Sequence, residues 1–212
     1  MRGSRCSTKR ELPSLVGNYT PIINLTRTLA SFVPPVTVAS SDPLQCHLPS
    51  LDRGPDVSLN DQPGQKRAAA SRATEAHLQC TALQAELGQS IPLSRAMQLT
   101  VSAWSDQGLT LVAPLAPNIN DKGSAFGGSL SALLTLAGWG LLWLRTKEAG
   151  MLCDLVIHRA EIRYVRPLTG PIQVRCPQPG NAEWLLFFDQ FESRGKARIR
   201  LRPVVLDSAG QE

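Results

Sequence analysis

Between Lys122 and Arg145 the chain carries no charged residue, and this interval opens on Gly123, Gly127 and Gly128. From Leu130 onward it is strongly apolar. Leu130, Leu133, Leu134, Ala137, Leu141 and Leu144 recur at helical spacing. The opposite side, with Ala132, Leu136, Trp139, Gly140 and Trp143, is apolar or small as well. A helix that is apolar all round is a buried helix. A membrane span needs roughly 20 apolar residues, and the stretch from Leu130 to Leu144 is shorter than that. Gly123 and Gly128 have phosphate-loop spacing, but Ser129 stands where that motif places its lysine. The expectation is therefore a core helix wrapped by a sheet, its glycine-lined N-terminus facing a ligand.

The flanking segments supply the sheet. Residues 66–88 read as an amphipathic helix, with Ala76, Cys80, Leu83 and Leu87 on one stripe and Gly88 as the C-cap. Met97–Trp104 and Leu109–Pro114 read as strands joined by the turn Ser105–Gly108. The central helix is expected to end near Gly150. After it, Leu155–Val165 alternates, with Val156, Ala160, Ile162 and Tyr164 inward. Ile172, Val174 and Cys176 form the next strand. Trp184–Phe191 reads as a buried strand, and Lys196–Leu206 as a half-exposed one with Ala197, Ile199 and Leu201 inward. One long helix with one antiparallel sheet is an α+β layer pattern.

Residues 1–65 are different. Positions 1–64 hold eight of the chain's sixteen prolines and show no sustained period. Such a segment buries too little apolar surface to offset its ordering entropy. It is expected to be a disordered extension, removed by limited proteolysis from a domain spanning 66–212. The five cysteines are scattered without a C-x-x-C pair, which fits a reducing, cytoplasmic setting. The three histidines are equally dispersed, so no metal site is expected. A net charge of +5 makes an acidic partner plausible.

Four blocks carry a resemblance: IPLSRAM at 91–97, APLAPNINDKGSAFGG at 113–128, LLTLAGWG at 133–140 and EIRYVRPLTG at 161–170. Within the second, Asn120-x-x-Gly123-x-x-Phe126-Gly127-Gly128 resembles the N-x-x-G-x-x-H-G-G signature of hotdog-fold thioesterases of the phenylacetyl-CoA type. The order of the blocks resembles more closely a bacterial thioesterase branch found alone or fused behind an acetyltransferase domain. The resemblance covers about residues 78–206. It implies a hotdog fold, a sheet curled around a central helix, and a homo-oligomer, dimer or tetramer, with the acyl site between subunits. It also implies a further strand after the last one seen here. That final strand looks absent, which would leave an unpaired edge.

The chemistry implied is hydrolysis of acyl-CoA or acyl-carrier-protein thioesters, with no cofactor. Free N–H groups around Phe126, Gly127 and Gly128 would polarise the thioester carbonyl. Asn120 would add a donor or orient water, ahead of Asn118; the competing reading of both is as turn formers after Pro117. The family's helical carboxylate is replaced by Thr135, able to hold a water but a poor base, and the motif histidine by Phe126. Asp121 is the nearest carboxylate in sequence. Asn118, Gly123, Phe126, Arg163 and Arg166 are expected to contact substrate. No G-x-S-x-G elbow is present, no cysteine of the 66–212 domain neighbours a histidine, and His158 reads as structural. Decarboxylation of a malonyl-acyl-carrier-protein thioester, which needs an oxyanion site but no initiating base, is the alternative reaction. A non-catalytic acyl-CoA-binding module is the alternative outside catalysis. Arg159, Arg163, Arg166, Arg175, Lys196, Arg198, Arg200 and Arg202 form either a solvated sheet face or a landing site for CoA phosphates or an acidic carrier protein. They lack interleaved base-stacking aromatics apart from Tyr164, so a nucleic-acid partner is not expected.

Overall fold

A computed structural model describes residues 22–27 and 63–206. In chain order the elements are β1 (Ile22–Arg27), α1 (Pro63–Ser90), α2 (Pro92–Ala96), β2 (Thr100–Ser105) and β3 (Gly108–Ala113). A short 3-10 turn (Ala116–Asn118) leads to α3 (Gly127–Glu148). Then come β4 (Cys153–Arg159), β5 (Ile172–Cys176), α4 (Asn181–Arg194), β6 (Lys196–Arg200) and β7 (Val204–Leu206). All strand pairings are antiparallel. The strands order as β2-β3-β5-β7 and as β4-β1-β6.

The central helix is α3. Leu133, Ala137, Leu141 and Leu142 on it are fully buried, and they share one core with Leu109 and Leu111 of β3 and Ile172, Val174 and Cys176 of β5. Among the described residues α3 is the one helix long and apolar enough to cross a membrane. Here it is the core around which the strands lie. This is the α+β, hotdog arrangement expected from the four sequence blocks. α1 closes one side through Leu83 and Leu87, both fully buried, and lies against β2. Its Gln84 side chain accepts from the Val101 N–H at 2.7 Å and donates to the Leu99 carbonyl at 3.1 Å. An amide side chain thus satisfies the exposed edge of β2 as a neighbouring strand would.

Several expectations are corrected. Trp184–Phe191 is the middle of α4, not a strand. Trp184, Phe187 and Phe191 are its buried residues, at helical spacing, while Leu185 and Leu186 face out. The ends are marked too: the Glu183 carboxylate accepts from the Gly180 N–H at 3.0 Å, and Gly195 closes the helix at φ 65°. α1 runs past Gly88 to Ser90, so that glycine is not a cap. β2 begins at Thr100, because Met97 and Gln98 close α2, Gln98 with φ 53°. On β4 the inward residues are Cys153, Leu155 and Ile157, while Val156 is exposed and the strand stops at Arg159. The run Lys196–Leu206 divides into β6 and β7 around Arg202–Pro203, although Ala197, Ile199 and Leu201 face inward as expected. Within the extension expected to be disordered, Ile22–Arg27 forms β1 and Pro63–Gln65 begin α1. The rest of that extension, and the final turn at Asp207–Gly210, lie outside the described residues. The unpaired edge expected from an absent last strand does not arise at β6, because β1 pairs with it.

Candidate active site

The loop from Pro114 to Phe126 carries the chain from β3 to the start of α3, and three of the four sequence blocks anchor it. Asn118 is buried, and its side-chain amide donates to the Met97 carbonyl at 2.9 Å and the Pro114 carbonyl at 2.8 Å. The Asn118 carbonyl accepts from the Phe126 N–H at 2.7 Å. The Ala125 N–H donates to the Leu168 carbonyl at 2.7 Å, and the Tyr164 hydroxyl donates to the Gly127 carbonyl at 2.9 Å. Thus 91–97 and 161–170 both hold the loop that positions the first turn of α3.

Asn120 organises the loop from within. Its Oδ1 accepts from the N–H groups of Lys122 at 2.9 Å and Ser124 at 3.1 Å. Its amide nitrogen donates to Ser124 Oγ at 3.0 Å and to the Ala125 carbonyl at 3.4 Å. Both amide hydrogens are therefore directed into the loop rather than towards a ligand. Of the two sequence readings for this residue, the geometry displays the turn former. Gly123 completes the turn at φ 76°. Replacing Asn120 by alanine is expected to lower stability by about 1–2 kcal/mol through the lost turn bonds. Asn120→Asp keeps the two acceptor bonds and should lie closer to the parent. Thermal midpoints of the two variants check this.

At the helix start, Leu130 makes the first intrahelical bond, to the Phe126 carbonyl at 3.0 Å. The N–H groups of Gly127, Gly128 and Ser129 precede it and have no acceptor within the helix. No side chain caps this end, and its first turn contains no acidic residue. The Phe126 N–H, expected among the free donors, is taken by Asn118, so the donor set moves one residue on, to include Ser129. The exposed Phe126 ring lies over Gly128: a Cβ there would meet it at 2.3 Å. The Tyr164 ring lies beside Gly127, 3.5 Å from where a Cβ would stand.

A cleft of about 30 Å³ opens beside this turn, lined by Leu130 and Leu134 of α3, Ile162 to Leu168, and Val205. Arg163 and Arg166 line it and are exposed. Thr135 is half-buried and does not line it. Eight residues of helix set Thr135 about 12 Å along the axis from Gly127, too far to hold a water against a carbonyl bound at this chain's own Gly127. Asp121 is exposed in the loop turn and does not line the cleft either. Tyr164 was singled out in the sequence only as an inward strand residue and a lone aromatic among arginines. Its contact with Gly127 depends on a fold that brings positions 37 apart together.

Burial pushes the thiols of Cys80, Cys153 and Cys176 upward, furthest for the fully buried Cys176, and a protonated thiol is a weak nucleophile. His158 is exposed on β4. Among the described residues no group of histidine, cysteine or carboxylate side chains could hold a metal ion. Cys153→Ser and His158→Gln are each expected to retain most activity, measured as kcat/KM on an acyl thioester.

The sequence profile of the family described as "Putative thioesterase (yiiD_Cterm)" matches residues 80–211. Among solved structures, a protein of unknown function from Chlorobaculum tepidum TLS is 37% identical, with a TM-score of 0.59 over 61% of this chain and 79% of that one. A putative thioesterase from Shewanella oneidensis is 26% identical, with a TM-score of 0.51 over 62% of this chain and 99% of that one. A probable thioesterase from Pseudomonas aeruginosa shares the fold at 22% identity, with a TM-score of 0.52 over 64% of this chain and 86% of that one.

Proposed function

This chain belongs to that putative thioesterase family, and from that premise we propose that it hydrolyses acyl groups carried on coenzyme A or an acyl carrier protein. The observation that carries the reading is the uncapped start of α3 at Gly127, Gly128 and Ser129, next to Leu130 and Tyr164, which line the cleft. As water adds to the thioester carbon, charge develops on the carbonyl oxygen. Preorganised N–H groups at a helix N-terminus stabilise that charge. The C–S bond then breaks, and the thiolate takes up the proton that the water gives up. Asn118 and Asn120 act in this scheme as positioning residues, through the loop they hold. Arg163 and Arg166, at the cleft wall, suit the phosphates of coenzyme A or of a carrier's phosphopantetheine arm.

The cleft within one chain is far smaller than the 300–1,000 Å³ or so of a typical ligand pocket. Ile119, Phe126, Tyr164 and Val165 around it are large apolar side chains that remain exposed. Both facts support a second protomer that covers this surface and completes the acyl site. Light scattering tests it: a dimer or higher oligomer is expected, and a stable monomer at micromolar concentration counts against it.

No carboxylate or histidine lines the cleft among the described residues. This favours malonyl-thioester decarboxylation as a second reading. There the C–C bond to the carboxylate breaks, carbon dioxide leaves, and the same N–H groups hold the enolate until a proton from water gives the acetyl thioester. Mass spectrometry of products from a panel of acyl thioesters separates the two. Free acid plus thiol supports hydrolysis, acetyl thioester from the malonyl substrate alone supports decarboxylation, and acyl-CoA binding without turnover selects a non-catalytic binding module.

A further inference from the structure

We propose that the gap between β4 and β6 is a strand-acceptor groove, and that the chain's own N-terminal segment Ile22–Arg27 is the strand it holds. This segment lies outside the family match at residues 80–211, yet it forms the middle of the sheet β4-β1-β6. Its register is defined on both sides. Ile23 stands opposite Ile157 and Ile199, and Leu25 opposite Leu155 and Ala197. Between these, Asn24 is set against Val156 and Arg198, and Thr26 against Asp154 and Lys196.

The alternation agrees with the burial of the neighbours. Ala197 and Ile199 are buried, Leu155 and Ile157 are partly buried, and Val156, Asp154, Lys196 and Arg198 face out. Ile23 itself is fully buried and belongs to the core built around α3.

Strand spacing explains why the groove needs an occupant. Neighbouring strands lie about 4.8 Å apart, so β4 and β6 stand about 9.6 Å from each other across β1. Without β1 neither can pair with the other unless one shifts by a full strand position. That shift would carry Leu155 and Ile157, or Ala197 and Ile199, off the core. Two facing edges of unpaired N–H and C=O groups are a template for an added strand. The Ile-Ile-Asn-Leu-Thr sequence, apolar at alternate positions, fits it.

Two experiments on the full chain test the assignment. In the first, Thr26→Cys is combined with Asp154→Cys, and separately with Lys196→Cys, the register partners on either side. After oxidation the bonds are mapped by peptide mass spectrometry. A bond between the introduced cysteines within one chain is expected. A bond between two chains assigns the groove to a second copy's strand, and absence of the bond in both variants removes the strand altogether; either result overturns the proposal. The second compares hydrogen exchange in the parent and in Ile23→Asp. Amides of 153–159 and 196–200 are expected to exchange at least about tenfold faster in the variant, with β2, β3 and β5 little changed. Unaltered protection of β4 and β6 overturns the proposal.

Discussion

Asn118→Asp is expected to cost about 3–5 kcal/mol at neutral pH, a large part of the roughly 5–15 kcal/mol that holds a domain folded. The asparagine is about 1% exposed, and its amide nitrogen lies 2.9 Å from the Met97 carbonyl and 2.8 Å from the Pro114 carbonyl. Aspartate places an acceptor where two acceptors already point. As a carboxylate it also adds an unpaired charge in a site without solvent. Burial and the facing carbonyls raise its pKa in the folded state above the usual carboxylate value of about 3.9. A raised folded pKa means that the penalty is complete above that pKa and fades as pH falls towards the unfolded value. Urea denaturation at pH 7 and near pH 4 should therefore show a smaller deficit for the variant in acid. Activity should fall with the folded fraction, because Asn118 ties the loop before α3 to Met97 and Pro114.

The second large effect is expected at Gly108, the first residue of β3 after the turn from β2. Its φ is +119°, and a Cβ there would lie 2.0 Å from the Cys176 carbonyl oxygen and 2.8 Å from the Pro177 Cα. Both are backbone atoms, so no side chain can move aside. Gly108→Ala is expected to cost about 4 kcal/mol, combining backbone strain with steric overlap, and to loosen the register between β3 and β5. Gly123→Ala is the matched control. Its φ is also positive, +76°, but nothing lies within 4 Å of the added carbon, so about 1 kcal/mol of left-handed strain is all that is expected. Denaturant midpoints of the pair separate conformational strain from collision.

Local pattern in the chain was enough to place several elements. The apolar stretch from Leu130 to Leu144 reads as a buried helix, and it lies within α3. Ile172, Val174 and Cys176 alternate, and all three are fully buried on β5. The spacing of Leu83 and Leu87 likewise set the face of α1. α4 was legible as well: Trp184, Phe187 and Phe191 lie three and four apart between Gly180 and Gly195, but the density of apolar residues hid that period. Other features depended on long-range contact and had no local signal. Asn118 and Asn120 sit two apart in one loop, yet one reaches back to Met97 while the other turns inward on Ser124. Tyr164 finds Gly127, and Ile22–Arg27 finds β4 and β6, only because the fold brings distant positions together. A hexapeptide among prolines has too little apolar surface to order itself. It becomes a strand when two neighbouring strands supply hydrogen bonds on both sides and a core covers Ile23.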